Sequence, residues 1–136
     1  MFRNALAVVA GYFVGSAINM GLIQLNMQVL FPPEAGLNVG DPEQFQAYID
    51  ALPVQALLVI VLAHLSQAFV GASVAARIAE SRPMVVAMGI GALSLAGGVM
   101  AFVMIESPSW MTIELPLYLA LAWAAGKLEE KRRARA

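Results

Sequence analysis

The stretch MVVAMGIGALSLAGGVMAFVMI, from Met84 to Ile105, contains no charged residue. As a helix it rises about 30 Å, the thickness of the hydrocarbon core of a bilayer. Three further runs have the same character. The first is ALAVVAGYFVGSAINMGLIQL from Ala5, continuing as helix to about Leu30, where FPP stops it. The second begins at Pro53, a residue tolerated where it opens a helix, and the third is SWMTIELPLYLALAWAAGK, from Ser109. Composition agrees: 60% of residues are hydrophobic and 12% charged, with a mean hydropathy of +0.75. The expectation is an all-α polytopic membrane protein, a four-transmembrane-helix bundle forming a single transmembrane domain over 1–136. Its spans fall at about 5–30, 53–77, 84–105 and 109–127, with an outer loop at 31–52 and a tail at 127–136.

Charge placement predicts the orientation. Arg3 precedes the first span, Arg77 and Arg82 lie between the second and third, and Lys127, Lys131, Arg132, Arg133 and Arg135 follow the fourth. With four crossings, all 8 basic residues fall on one side, which the positive-inside rule makes the cytoplasm. Both termini are then cytoplasmic, while Glu34, Asp41, Glu43, Asp50 and Glu106 face outward. The start MFRNALAVVAGYFVGSA also has the layout of a leader cleaved after Ala17. The apolar run continues past that point to Leu25, so a full span is the expectation.

In the outer loop, GDPEQFQAYIDALP predicts a short amphipathic helix: Asp41 caps, Pro42 suits the first position and Glu43 suits the positive end. Phe45, Tyr48, Ile49 and Leu52 share one face, opposite Glu43, Gln46 and Asp50. The expected place for such a helix is the outer membrane interface, as an anchored loop or as a lid. The basic tail KLEEKRRARA reads as a topology determinant that touches anionic lipid, not as a nucleic-acid binder.

Small residues predict the packing, because helices in lipid associate through close approach and buried polar groups. Gly11, Gly15 and Asn19 recur at four-residue steps in span one, and Gln67, Gly71 and Ala75 do so in span two. Span three carries Gly89, Gly91, Gly97 and Gly98. Spans one and two should therefore face each other, with span three near the middle.

The polar residues at depth are Asn19, His64, Gln67, Ser94 and Glu114. His64, the only histidine, lies about 16 Å below the outer end of its span, level with Asn19 and Ser94. A charged ring there is expensive, so the expectation is a neutral imidazole bonded to Asn19, Ser66, Gln67 or a backbone carbonyl. Glu114 comes out about 8 Å below the outer end of span four, two turns away in depth, so that direct pairing needs a tilted helix or a wet cleft. Two readings of Glu114 compete: a carboxylate beside a helix bent at Pro116, as in transporters, or one snorkelling upward from a helix start capped by Ser107 or Ser109.

Catalytic chemistry is hard to build here. The chain has no cysteine, which removes disulfides, thiolate metal sites and cysteine nucleophiles. One histidine among amides offers too few metal ligands, and no cofactor motif, nucleophile triad or carboxylate pair is present. An enzyme is the least favoured class.

Together, VAGYFVGSAINMGLI, LAHLSQAFVGASVAARIA and PSW resemble a group of small four-span bacterial inner-membrane proteins with no assigned function. The resemblance implies the bacterial inner membrane, and it implies the span-one Asn and span-two His as shared features, but no activity. Small multidrug resistance transporters fit less well, since they carry a Glu in their first span. The functional expectation is a non-enzymatic bundle whose partners are the lipid bilayer and either a second copy or another membrane protein, with no nucleic acid. The alternative is a small transporter or channel using His64 and Glu114 as proton-sensitive groups.

Overall fold

The computed structural model describes residues 2–135. Within them the chain is all-helical, with no strand. Helix α1 covers Phe2–Leu25 and widens into a π turn at Asn26–Leu30; α2 covers Pro42–Ala51, α3 Val54–Ile78 and α4 Pro83–Met104. A 3₁₀ turn over Ser109–Ile113 then leads into α5, Glu114–Arg133. Phe2–Leu30, Val54–Ile78 and Pro83–Met104 are long and apolar enough to cross a membrane. Their outward faces are apolar as well: Phe13 is 69% and Val103 81% exposed, a surface compatible with a lipid environment.

Helix α1 lies against α3, which also contacts α4 and α5. The α1–α3 seam is set by glycine. A Cβ on Gly11 would strike the Gly71 carbonyl, and one on Gly15 would stand 2.6 Å from the Gln67 carbonyl, so the two backbones touch where side chains would hold them apart. Gly91 does the same between α4 and α5, where a Cβ would sit 2.6 Å from Ala122 Cβ. From Gly98 beside Leu115 to Met84 beside Gly126, α5 runs antiparallel along α4. Between these seams the core is mostly alanine, with Ala72, Ala75, Ala76 and Ala87 fully buried around Ile90.

The two ends of the bundle are built differently. At one end Asn4 closes the α3–α4 turn: its Oδ1 accepts from Glu80 N (3.0 Å) and Ser81 N (3.4 Å), and its Nδ2 donates to Ser81 O (3.0 Å). Arg133 reaches the same place, donating from Nη2 to Ala76 O (2.8 Å) and Ala79 O (2.6 Å), the unpaired carbonyls that end α3. At the opposite end Asp41 caps α2 by accepting from Glu43 N (3.0 Å) and Gln44 N (3.3 Å). The Gln46 side chain there pairs with the Glu106 backbone, donating to its carbonyl (2.9 Å) and accepting from its N–H (3.0 Å), which clasps α2 to the segment after α4.

Glu129 holds the tail in place. Its oxygens accept from Arg132 Nη2 (2.6 Å), Arg132 Nε (2.7 Å) and Arg133 Nε (2.8 Å). Chiefly through the Arg132 hydrogen bonds, and against the opposing effect of burial, these partners hold its carboxyl at about 2, below the ordinary 4.5. A depressed carboxylate stabilises the fold above its unfolded value, and that contribution disappears as pH falls from about 4.5 to about 2. With Arg132 half-exposed and screened, it amounts to about 1 kcal/mol. In detergent, wild type should lose that much more stability than Glu129→Gln between pH 6 and pH 2.5; superimposable pH curves would refute the assignment.

Candidate functional site

The polar residues at depth resolve into two pairs. Asn19 Nδ2 donates to Gln67 Oε1 (2.8 Å) across the α1–α3 seam, where the glycine steps bring the two amides together. His64 does not join them. Its Nδ1 lies 3.1 Å from Glu114 Oε1 and 3.2 Å from Oε2, so the expected amide or carbonyl partner is replaced by the carboxylate of α5. Glu114 is 1% exposed and the His64 side chain 25%. Tyr118, one turn further along α5, donates to Glu114 Oε1 at 2.8 Å.

The two-turn separation in depth expected for His64 and Glu114 does not hold, since their side chains are in hydrogen-bond contact. A small part of the difference is local: Ser109–Ile113 is a 3₁₀ turn, whose rise of about 2 Å per residue sets Glu114 about 2.5 Å deeper than α-helical rise would. The start of α5 is also not level with the end of α4: Leu115 already lies beside Gly98, inside the bundle. Two related expectations change with it. Neither Ser107 nor Ser109 caps by its side chain; Pro108 and Ile113 stand at the cap positions, without side-chain hydrogen bonds. Pro116 does not bend a continuous helix, because it sits in the first turn of α5, where no helical N–H is needed. Glu114 is folded inward and does not snorkel.

Gly98 is part of the site. A Cβ there would stand 2.5 Å from Tyr118 Cε2 and 3.0 Å from Tyr118 Oη, so the missing side chain is the space that the phenol ring uses to reach Glu114. Sequence reasoning had Gly98 as a packing residue and missed Tyr118. The available signal was its i, i+4 spacing from Glu114, together with the requirement that a phenol buried in a span find an acceptor.

Above the pair lies a cavity of about 220 Å³, walled by Ile23, Met27, Leu57, Ile60 and Phe102, with Glu114 and His64 among its lining. Helix α2 covers it with Phe45, Tyr48 and Ile49, the apolar face expected from the sequence. Tyr48 donates to Phe31 O at 3.0 Å, and burial pushes its phenol up, so it stays a donor. His64 also lines a second cavity, between α1 and α4, with Asn19, Gln67 and Ser94. The ring thus stands in the wall between two spaces. It belongs to a hydrogen-bonded group of an imidazole, a carboxyl and a phenol, in which Tyr118 is the donor to Glu114 Oε1.

Compared with family models, curated proteins and solved structures, the chain matches none.

Proposed function

We propose that the chain is a small multi-pass protein of the bacterial inner membrane, crossing four times with both termini cytoplasmic, that uses the His64–Glu114 pair as a proton-sensitive group in passing protons or a small apolar solute. The observation that carries this is the contact of His64 Nδ1 with Glu114 Oε1 at 3.1 Å, with Glu114 1% exposed beneath an apolar cavity. A buried carboxylate is destabilising in apolar surroundings unless paired, and membrane proteins place such groups chiefly on ion and proton routes. The π turn at the head of the cavity and the clasp of Gln46 on Glu106 fit a covered entrance. Support for the fourth crossing comes from α5 running antiparallel along α4 from Leu115 to Gly126. Support for the orientation comes from the basic residues collecting at the Asn4 and Arg133 end, with α2 in the outer interface at the other.

A second reading is a homo-oligomer or an accessory subunit of a membrane assembly. It is favoured by Gly21 and Gly89, where an added Cβ would meet nothing within 4 Å, leaving small-residue positions open to a neighbouring helix.

Flux separates the two. In reconstituted vesicles the wild type should carry protons or small amphiphiles at a rate that changes severalfold between pH 5 and pH 8, and both Glu114→Gln and His64→Ala should flatten that dependence. If no flux is seen, and a mild-detergent pull-down recovers the chain with a stoichiometric partner, the second reading replaces the first.

A further inference from the structure

The cavity between α1 and α4, about 270 Å³, has an unusual lining. Ser94 is 7% exposed and its Oγ has no hydrogen-bond partner; Asn19 Oδ1 is likewise buried and unpartnered. Because Asn19 Nδ2 is committed to Gln67 Oε1, the two amides are oriented: Asn19 Oδ1 is left as a buried acceptor without a partner, and the Gln67 amide lines the same cavity with its nitrogen as a donor. Buried polar atoms nearly always have partners. A buried acceptor and a buried hydroxyl without partners, lining one cavity with the Gln67 amide, describe the complement of a head group that donates and accepts at once.

The way in is apolar. A groove of about 430 Å³ on the outside of α1 and α4, formed by Val8, Val9, Phe13, Ala96 and Met100, shares Tyr12, Leu93 and Gly97 with the polar cavity. The groove faces the side of the bundle, where lipid lies if the chain spans a membrane.

We propose that this is a binding site for a single-chain amphiphile with a neutral head that both donates and accepts, a long-chain alcohol or primary amide, entering sideways from the bilayer. The chain occupies the groove, and the head bonds Asn19, Gln67 and Ser94. Charged heads are disfavoured because these three residues supply no charge and His64 is already engaged by Glu114. This site does not depend on proton or solute flux through the His64–Glu114 pair.

The test uses the full chain in phosphatidylcholine nanodiscs, a hexadecanol carrying a diazirine on its chain, and the methyl ether of the same alcohol, with cross-links mapped by mass spectrometry. Labelling by the alcohol should concentrate on Tyr12, Leu93 and Met100. It should fall about fivefold for the ether, which cannot donate, and by a similar factor in Ser94→Ala, the loss of one hydrogen bond. Gly97→Leu should abolish it by filling the groove; a Cβ at Gly97 meets nothing within 4 Å, so the fold tolerates the change. Labelling at outward-facing Val103 should be the same in all variants. Groove labelling no stronger than at Val103, equal for alcohol and ether, or unchanged in both Gly97→Leu and Ser94→Ala would overturn the proposal.

Discussion

Gly71→Leu is expected to destabilise the bundle by about 3 kcal/mol, among the largest effects of any single substitution in this chain. A Cβ at Gly71 would stand 2.8 Å from the Gly11 carbonyl oxygen and 3.2 Å from Ile90 Cγ2. The first neighbour is backbone and cannot rotate away, so a longer side chain must push α1 off α3. Separation there also draws Asn19 away from Gln67, because their 2.8 Å hydrogen bond lies along the same seam. Gly89→Leu is the matched control: an added Cβ meets nothing within 4 Å, and the cost should stay within about 0.5 kcal/mol. Reversible unfolding in mixed micelles measures both. Equal stability of the two variants would show that the α1–α3 contact is not the one that holds the bundle.

The second large effect is at Glu114. Removing its carboxylate in Glu114→Ala leaves His64 Nδ1 and the Tyr118 hydroxyl without their shared partner, and opens a gap below the cavity that α2 covers. Unsatisfied buried donors cost about 1–3 kcal/mol each, so a loss of about 3 kcal/mol is expected. Glu114→Gln keeps an oxygen for Tyr118 and replaces the ionisable carboxyl by a neutral amide, and should remain within about 1 kcal/mol of wild type. The difference between the two variants isolates the hydrogen bonds from the charge. If alanine is tolerated as well as glutamine, the pair is not a structural element and its burial has another origin.

The sequence made the small-residue seam legible because its signal is local: glycines four residues apart on one helix, facing the same interval on another, specify close approach whatever else the fold does. The Asn19–Gln67 bond was not legible: both amides were expected as partners of His64, and they pair with each other instead. Asp41 and Pro42 announce the start of α2, since a cap and a first-turn proline act within a few residues of chain. The His64–Glu114 contact was not legible, although both residues were singled out. Their separation depended on how α5 is placed against α3 and α4, which no periodicity along one segment marks. Tyr118 was missed with it, since its role exists only once Glu114 turns inward over Gly98.

By itself, then, the sequence determined the long apolar helices, their apolar outward faces and the glycines Gly11, Gly15, Gly71, Gly91 and Gly98 at which they approach, because these follow from periodicity and composition along single segments. It did not determine that Gly89 and Gly97 meet no neighbour. Only the tertiary structure decided which buried polar groups meet. Contacts between helices depend on the relative height and rotation of elements tens of residues apart, and an offset of about two turns separates a carboxylate that snorkels from one that pairs with the only histidine of the chain.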